Sequence, residues 1–155
     1  WPSVACARSM WRPLVLHQSG NTQIDALRAN YAGAGVTAEL TPFIEDTAKA
    51  FADADLVICR AGASTVTEIA AVGAAAIFVP FPFAVDDHQT SNAAFLVRHG
   101  AGWLMPQAEM TAASLAEMLQ KTERSALLER ALQAKTMQKT NATAEVVTAC
   151  EELAP

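Results

Sequence analysis

No CxxC pair occurs in this 155-residue sequence; its three cysteines, Cys6, Cys59 and Cys150, are odd in number and far apart. Their spacing reads as reduced thiols in a cytoplasmic protein rather than as a disulfide framework. Basic residues are also scarce, 11 Lys and Arg against 16 Asp and Glu, and the resulting formal charge of −5 argues against a nucleic-acid partner. No GxSxG is present, and His17, His88 and His99 have no recognisable Ser or Cys partner, so nucleophilic catalysis finds no support. The first residues, "WPSVACARSMWRP", lack the continuous apolar core of a signal peptide. The longest stretch without a polar side chain, "IAAVGAAAIFVPFPFAV" over 69–85, is at the lower edge of membrane-spanning length. Gly73 and the Pro80/Pro82 pair break it into a helix end, a short strand and a loop. There is no internal repeat and no low-complexity linker.

Hydrophobic residues make up 52% and charged residues 17%, the balance of a packed soluble fold. The length suits one domain (residues 1–155) with a sizeable core. Apolar runs alternate with helical patterns along the chain. Strands are expected at 13–18 ("PLVLHQ"), 38–43 ("AELTPF"), 55–60 ("DLVICR"), 75–81 ("AAIFVPF") and 102–106 ("GWLMP"). Helices are expected between them, the fourth over roughly 88–99, followed by one with Leu115, Met118 and Leu119 on a single face. The α/β core then runs over about 13–120, and the tail over 123–153 is expected to be helical throughout. Short apolar strands alternating with helices imply a Rossmann-like parallel sheet with helices on both faces.

In such sheets ligands bind beyond the carboxyl ends of the strands, where loops enter helix N-termini. The unusual polar residues fall in four such loops. After Arg60, "GASTVTE" combines a bare turn, small hydroxyls and a helix start, which would let a diphosphate approach the first N–H groups of the helix. The competing explanation is capping, since Thr65-x-x-Glu68 is itself a capping-box pattern, and only Gly62 is present of a GxGxxG fingerprint. After Gln18, Ser19 and Gly20 admit a phosphate in the same way, or form a simple turn. After Phe43, the "FIED" segment reads as a staple and cap entering a helix, or as backbone groups that hold a flat base. After Phe81, "AVDDHQTSNA" puts Gln89 and Asn92 three residues apart on one helix face, a pairing suited to a sugar. A metal site built on Asp86, Asp87 and His88 is the weaker rival, because adjacent carboxylates point apart and nothing else completes a shell. His99, at a helix end, reads as compensation of the C-terminal dipole.

Together "LHQSG", "TPFIEDTAKAFADADLVICRAGASTVTEIAAVGAAAIFVPFPFAVDDHQTSNA" and "GAGWLMPQAEMT" resemble the C-terminal half of the MurG family of bacterial glycosyltransferases. The combination of "CRAG-x-x-T-x-x-E" with "D-x-x-Q-x-x-N" carries most of that likeness, which runs from about Leu14 to Leu119. The resemblance implies the C-terminal half of a GT-B enzyme that transfers N-acetylglucosamine from UDP-N-acetylglucosamine to undecaprenyl-pyrophosphoryl-N-acetylmuramyl-pentapeptide, lipid I to lipid II. It implies no cofactor and no metal, and a peripheral location on the cytoplasmic face of the inner membrane.

Carried over by resemblance, Ser19 would sit by the diphosphate and Ile44 would read uracil through its backbone. Ala63, Ser64, Thr65, Val66, Thr67 and Glu68 would form the phosphate loop and ribose contact, with Glu68 on the ribose hydroxyls. Gln89, with Asn92 beside it, would bind the N-acetylglucosamine. The family's N-terminal acceptor domain, with its general base, is not in this sequence, so a truncated transferase is expected and no catalytic residue is assigned. Two other readings stay open: a GT-B enzyme using another UDP-sugar, and a stand-alone UDP-sugar-binding subunit of a split transferase.

Overall fold

A computed structural model of the chain describes residues 13–153. Five short strands alternate with helices from β1 to β5: β1 Leu16–Gln18, α1 Ile24–Ala34, β2 Glu39–Thr41, α2 Thr47–Asp53, β3 Val57–Cys59, α3 Ala63–Val72, β4 Ala76–Phe78, α4 His88–Val97 and β5 Trp103–Leu104. Three further helices follow, α5 Ala112–Lys121, α6 Arg124–Thr136 and α7 Ala142–Leu153. Every ladder is parallel, as apolar runs separated by helices require. The ladders form two sheets, β1–β2 and β3–β4–β5. The apolar runs mark where each strand lies, longer than the strand itself, but carry no information on which strands share a ladder.

By their internal contacts the residues form two compact units. One holds residues 13–50 and Ala108–Glu123, the other Phe51–Gln107 and residues 124–153. In the first, β1 and β2 pair in the register Leu16↔Glu39 to Gln18↔Thr41. Ile24 and Leu27, three apart on α1, are its buried residues there, and α1 ends at Gly35 with φ +63°. Val36 N–H closes that end on the Tyr31 carbonyl, the return bond that a left-handed glycine permits. Leu115 is buried on α5, with Met118 and Leu119 half-buried on the same face.

The second unit carries the main core. β4 lies between β3 and β5, with all three of its residues buried. That position explains the unbroken apolar run of Ile77, Phe78 and Val79: a central strand covered by helices has no polar face. Around it Val66, Ile69 and Ala70 of α3, Ala93 and Leu96 of α4 and Ala134 of α6 complete a buried cluster. Gly102 lets β5 approach, since a Cβ there would stand 2.9 Å from the Ala76 carbonyl oxygen and 3.0 Å from the Phe78 ring. α3 stops at Gly73, whose φ of +80° a side chain adopts only at a cost of about 1–2 kcal/mol. There Lys135 of α6 donates to the Ala71 carbonyl, placing a cation on the negative end of the helix.

The helical tail is not continuous. α6 ends at Thr136 and α7 begins at Ala142, with the Asn141 carbonyl accepting from Glu145 N–H in the new first turn. Residues 137–141, "MQKTN", break the pattern because Thr and Asn offer the backbone alternatives to the helix. Among the described residues no helix is long and apolar enough to cross a membrane. The apolar stretch over 69–85 divides, as its glycine and prolines require, into the end of α3, β4 and a loop.

Candidate functional site

The turn after β3 is built without side chains. Gly62 is the residue that precedes α3, extended at φ −62° and ψ 149°, and no side chain caps the helix. Val66 N–H is the first to find an intrahelical partner, the Gly62 carbonyl at 3.0 Å. The N–H groups of Ala63, Ser64 and Thr65 therefore open the helix uncapped, where the macrodipole concentrates about half a positive charge. The capping-box expectation fails here. Thr65 is the third helical residue rather than the cap, because glycine takes the extended cap geometry three residues earlier. A serine, threonine or aspartate at Gly62 would cap this helix better than glycine by only about a few tenths of a kcal/mol.

Ala63, Ser64, Thr67 and Glu68 are exposed, and Thr65 is half-buried. Thr67 Oγ1 donates back to the carbonyls of Ala63 and Ser64, at 3.1 and 2.8 Å, and so stiffens the first turn. Val66 turns inward, 3% exposed, and serves the core. Ser64 and Glu68 are four residues apart and share a face, about 5.4 Å along the axis for each turn. No hydrogen bond or ion pair engages the Glu68 carboxylate among the described residues.

α4 enters from an unusual approach. A single turn of 3-10 helix, Val85–Asp87, holds both Asp86 and Asp87 in the left-handed region, at φ 51° and 50°. Asp87 accepts from Thr90 Oγ1 at 2.6 Å, a bond that fastens this turn to the first turn of α4. The two amides expected to bind sugar both point toward strand ends. Gln89 Oε1 accepts from Phe81 N–H at 2.9 Å, and Asn92 Nδ2 donates to the Ala61 carbonyl at 3.1 Å. The chemistry of those partners fixes the orientation of each amide: an N–H can only donate and a carbonyl can only accept. The Gln89 NH2 group and the Asn92 Oδ1 are left without a partner among the described residues. His88 directly precedes Gln89 at the start of α4, and His99 closes the helix, its Nδ1 2.9 Å from the Phe95 carbonyl, as a C-terminal histidine should.

Sequence reasoning missed Arg60. Its Nη1 donates to the carbonyls of Val79 (3.1 Å) and Pro80 (3.0 Å), and its Nη2 to Gln107 Oε1 (2.6 Å). Nothing local signals a partner 47 residues away. Cys59, just before it, is burial-inert: desolvation pushes its thiol up to about 12.

In the first unit the backbone is more occupied than expected. Ser19 N–H and Gly20 N–H donate to the carbonyls of Thr41 and Pro42, at 3.2 and 3.0 Å, so these two groups extend the β1–β2 ladder instead of facing a phosphate. The Ser19 hydroxyl donates to the Gly20 carbonyl at 3.2 Å. Ile44 N–H is taken by Gln18 Oε1 at 2.8 Å, and no partner engages the Ile44 carbonyl among the described residues. The staple-and-cap reading of "FIED" holds for the cap: Asp46 Oδ1 accepts from Lys49 N–H at 2.8 Å. Beneath, His17 Nδ1 meets the Tyr31 hydroxyl at 3.1 Å, and burial lowers the His17 pKa.

Residues 6–151 match the glycosyltransferase family 28 C-terminal domain. The chain is 78% identical over 143 residues to a UDP-N-acetylglucosamine--N-acetylmuramyl-(pentapeptide) pyrophosphoryl-undecaprenol N-acetylglucosamine transferase of Polaromonas sp. strain JS666, covering 92% of this chain and 37% of that protein. A transferase of the same description from Paracidovorax citrulli is 73% identical, with 92% of this chain and 40% of the relative covered. The chain thus spans about two fifths of the length of these relatives. The crystal structure of Acinetobacter baumannii MurG superposes with a TM-score of 0.88 at 44% identity, over 96% of this chain and 46% of that one. The glycosyltransferase VinC, 17% identical with a TM-score of 0.60, shares the fold.

Proposed function

The chain belongs to the glycosyltransferase family 28 C-terminal domain family, and from that premise we propose that it is the UDP-N-acetylglucosamine-binding portion of a MurG-type transferase. The observation that carries this reading is the uncapped start of α3, three N–H groups opening beside Gly62 with no side chain in the way. A diphosphate placed there receives those donors together with the helix dipole. The ribose then lies one turn deeper along the exposed face, where the unengaged Glu68 carboxylate accepts from its two hydroxyls. Gln89 and Asn92 present one free donor group and one free acceptor to the hexose. In the first unit the proposal is narrower: Ile44 reads the base through its carbonyl, and Ser19 acts through its hydroxyl.

The reaction proposed for the whole enzyme is an inverting displacement. The C4 hydroxyl of the muramyl acceptor attacks the anomeric carbon, the bond from that carbon to the β-phosphate oxygen breaks, and UDP departs. Negative charge grows on the diphosphate as it leaves, and fixed N–H donors aimed at it lower the barrier without reorganising. The base that takes the hydroxyl proton is assigned to the part of such transferases that the present match does not cover. An undecaprenyl-linked acceptor would place the reaction at the cytoplasmic face of the inner membrane.

Titration calorimetry of the chain with UDP, UDP-N-acetylglucosamine and ADP tests the reading. Binding of the two uridine nucleotides and not of ADP is expected. Equal affinity for ADP, or no binding of UDP, would overturn it.

A further inference from the structure

Arg60 takes no part in the nucleotide contacts above, yet it organises the strand end next to them. One guanidinium nitrogen bonds two consecutive carbonyls, Val79 and Pro80, and the other bonds Gln107. Its Cζ lies 5.4 Å from the centre of the Phe81 ring, within cation–π range. Three successive residues at the end of β4 are therefore held by one side chain. Val79 and Pro80 are buried, so their carbonyls depend on this donor for a partner. The next N–H along the chain, that of Phe81, is the one that Gln89 Oε1 accepts.

We infer that Arg60 is a positioning residue for Gln89, acting through the 79–81 backbone to fix which end of the Gln89 amide faces the donor sugar. The inference rests on the reading of Gln89 as a sugar ligand. A glutamine side chain free to rotate presents its oxygen or its NH2 group, and a hexose hydroxyl bound by the wrong one loses its partner. Holding Phe81 N–H in place removes that choice and leaves the NH2 group outward. The geometry needs a planar fork with two nitrogens reaching three oxygens; a lysine keeps the charge but has a single nitrogen and cannot bridge Gln107 to the Val79 and Pro80 carbonyls in the same way.

The test uses Arg60→Lys and, as the milder change, Gln107→Leu, which removes one exposed contact. Three quantities are read on each: hydrogen exchange of the Phe81 amide by NMR, affinity for UDP, and affinity for UDP-N-acetylglucosamine. In Arg60→Lys the Phe81 amide should exchange at least about tenfold faster. UDP affinity should stay unchanged while the preference for the sugar nucleotide over UDP falls about fivefold, the worth of one neutral hydrogen bond. Gln107→Leu should move the same two quantities in the same direction by less, with an unchanged melting temperature. An unaltered sugar preference in Gln107→Leu, or in a folded Arg60→Lys whose Phe81 amide has lost protection, would overturn the inference and leave Arg60 as scaffold. Absence of any sugar preference in the unmodified chain would instead overturn the reading of Gln89, and the inference with it; the exchange data tell the two failures apart.

Discussion

Asn92 on α4 donates its side-chain amide to the Ala61 carbonyl, 3.1 Å away at the end of β3 and two residues before α3 begins. That bond fastens one helix to the turn from which another opens. Under the proposed reading the same amide has two roles, since its Oδ1 has no partner among the described residues and is left to the sugar. Asn92→Ala should consequently lower both folding stability, by about 1 kcal/mol for the lost hydrogen bond, and sugar-nucleotide affinity. Denaturant melts and calorimetry on one preparation would check both; a loss of affinity with stability unchanged would count against the tethering role.

Ser64→Asp separates capping from ligand binding by sign. A carboxylate in the first turn of α3 faces the positive end of the helix dipole and should raise stability by roughly 0.3–1 kcal/mol. The same charge sits where the diphosphate is proposed and should weaken UDP binding at least about tenfold. Stability and affinity rising together would remove the phosphate from this helix.

Glu68→Gln should weaken UDP by about 1–3 kcal/mol, spanning the contributions of neutral hydrogen bonds and of those to a charged group. The loss should disappear when 2′,3′-dideoxy-UDP is the ligand. Equal losses for both nucleotides would show that the carboxylate does not read the ribose.

Gln89→Ala should lower affinity for UDP-N-acetylglucosamine, leave UDP nearly unchanged, and narrow the preference over UDP-N-acetylgalactosamine, which differs at C4. A site that hydrogen-bonds a hydroxyl discriminates far more than one that tolerates it. Parallel losses for UDP and the sugar nucleotide would move Gln89 to the nucleotide or the scaffold.

His17 predicts a pH dependence of stability. Burial holds its folded pKa below the ordinary 6.5, so the unfolded chain binds the proton first as pH falls. The stability associated with the neutral ring is present above 6.5 and is lost as pH drops through that value toward the lowered folded one. His17→Asn should flatten the melting-temperature profile between neutral pH and about pH 5. An unchanged slope would assign the dependence to other groups.

What was legible in the sequence follows from how local the signal is. Each strand lies inside the apolar run that announces it, as Val57–Cys59 does within "DLVICR" and Ala76–Phe78 within "AAIFVPF". The clustering of polar residues at strand ends also survives in Gln89 and Asn92, whose amides reach those ends. Capping was misread because Thr65-x-x-Glu68 has the right residues at the right spacing, and only the conformation of Gly62 decides where the helix starts. Long-range bonds left no trace. Gln18 on Ile44 N–H spans 26 residues, and Arg60 on Gln107 spans 47. Neither the pairing of strands into two ladders nor the use of Ser19 N–H in one of them is encoded in a periodicity.

The two ends of α3 are finished differently. At its C-terminus Gly73 turns the chain and Lys135 meets the Ala71 carbonyl, while its N-terminus has no cap at all. Folding therefore leaves part of this helix's electrostatic energy unspent, and a diphosphate bound as proposed would collect it. Because the unfolded chain has no such helix end, nucleotide bound as proposed would link binding to folding: the melting temperature should climb with the logarithm of nucleotide concentration once that exceeds the dissociation constant, and a hundredfold excess should add about 2.7 kcal/mol of stability. A chain that is only marginally stable when empty would then persist longest in a cell that keeps its donor pool full.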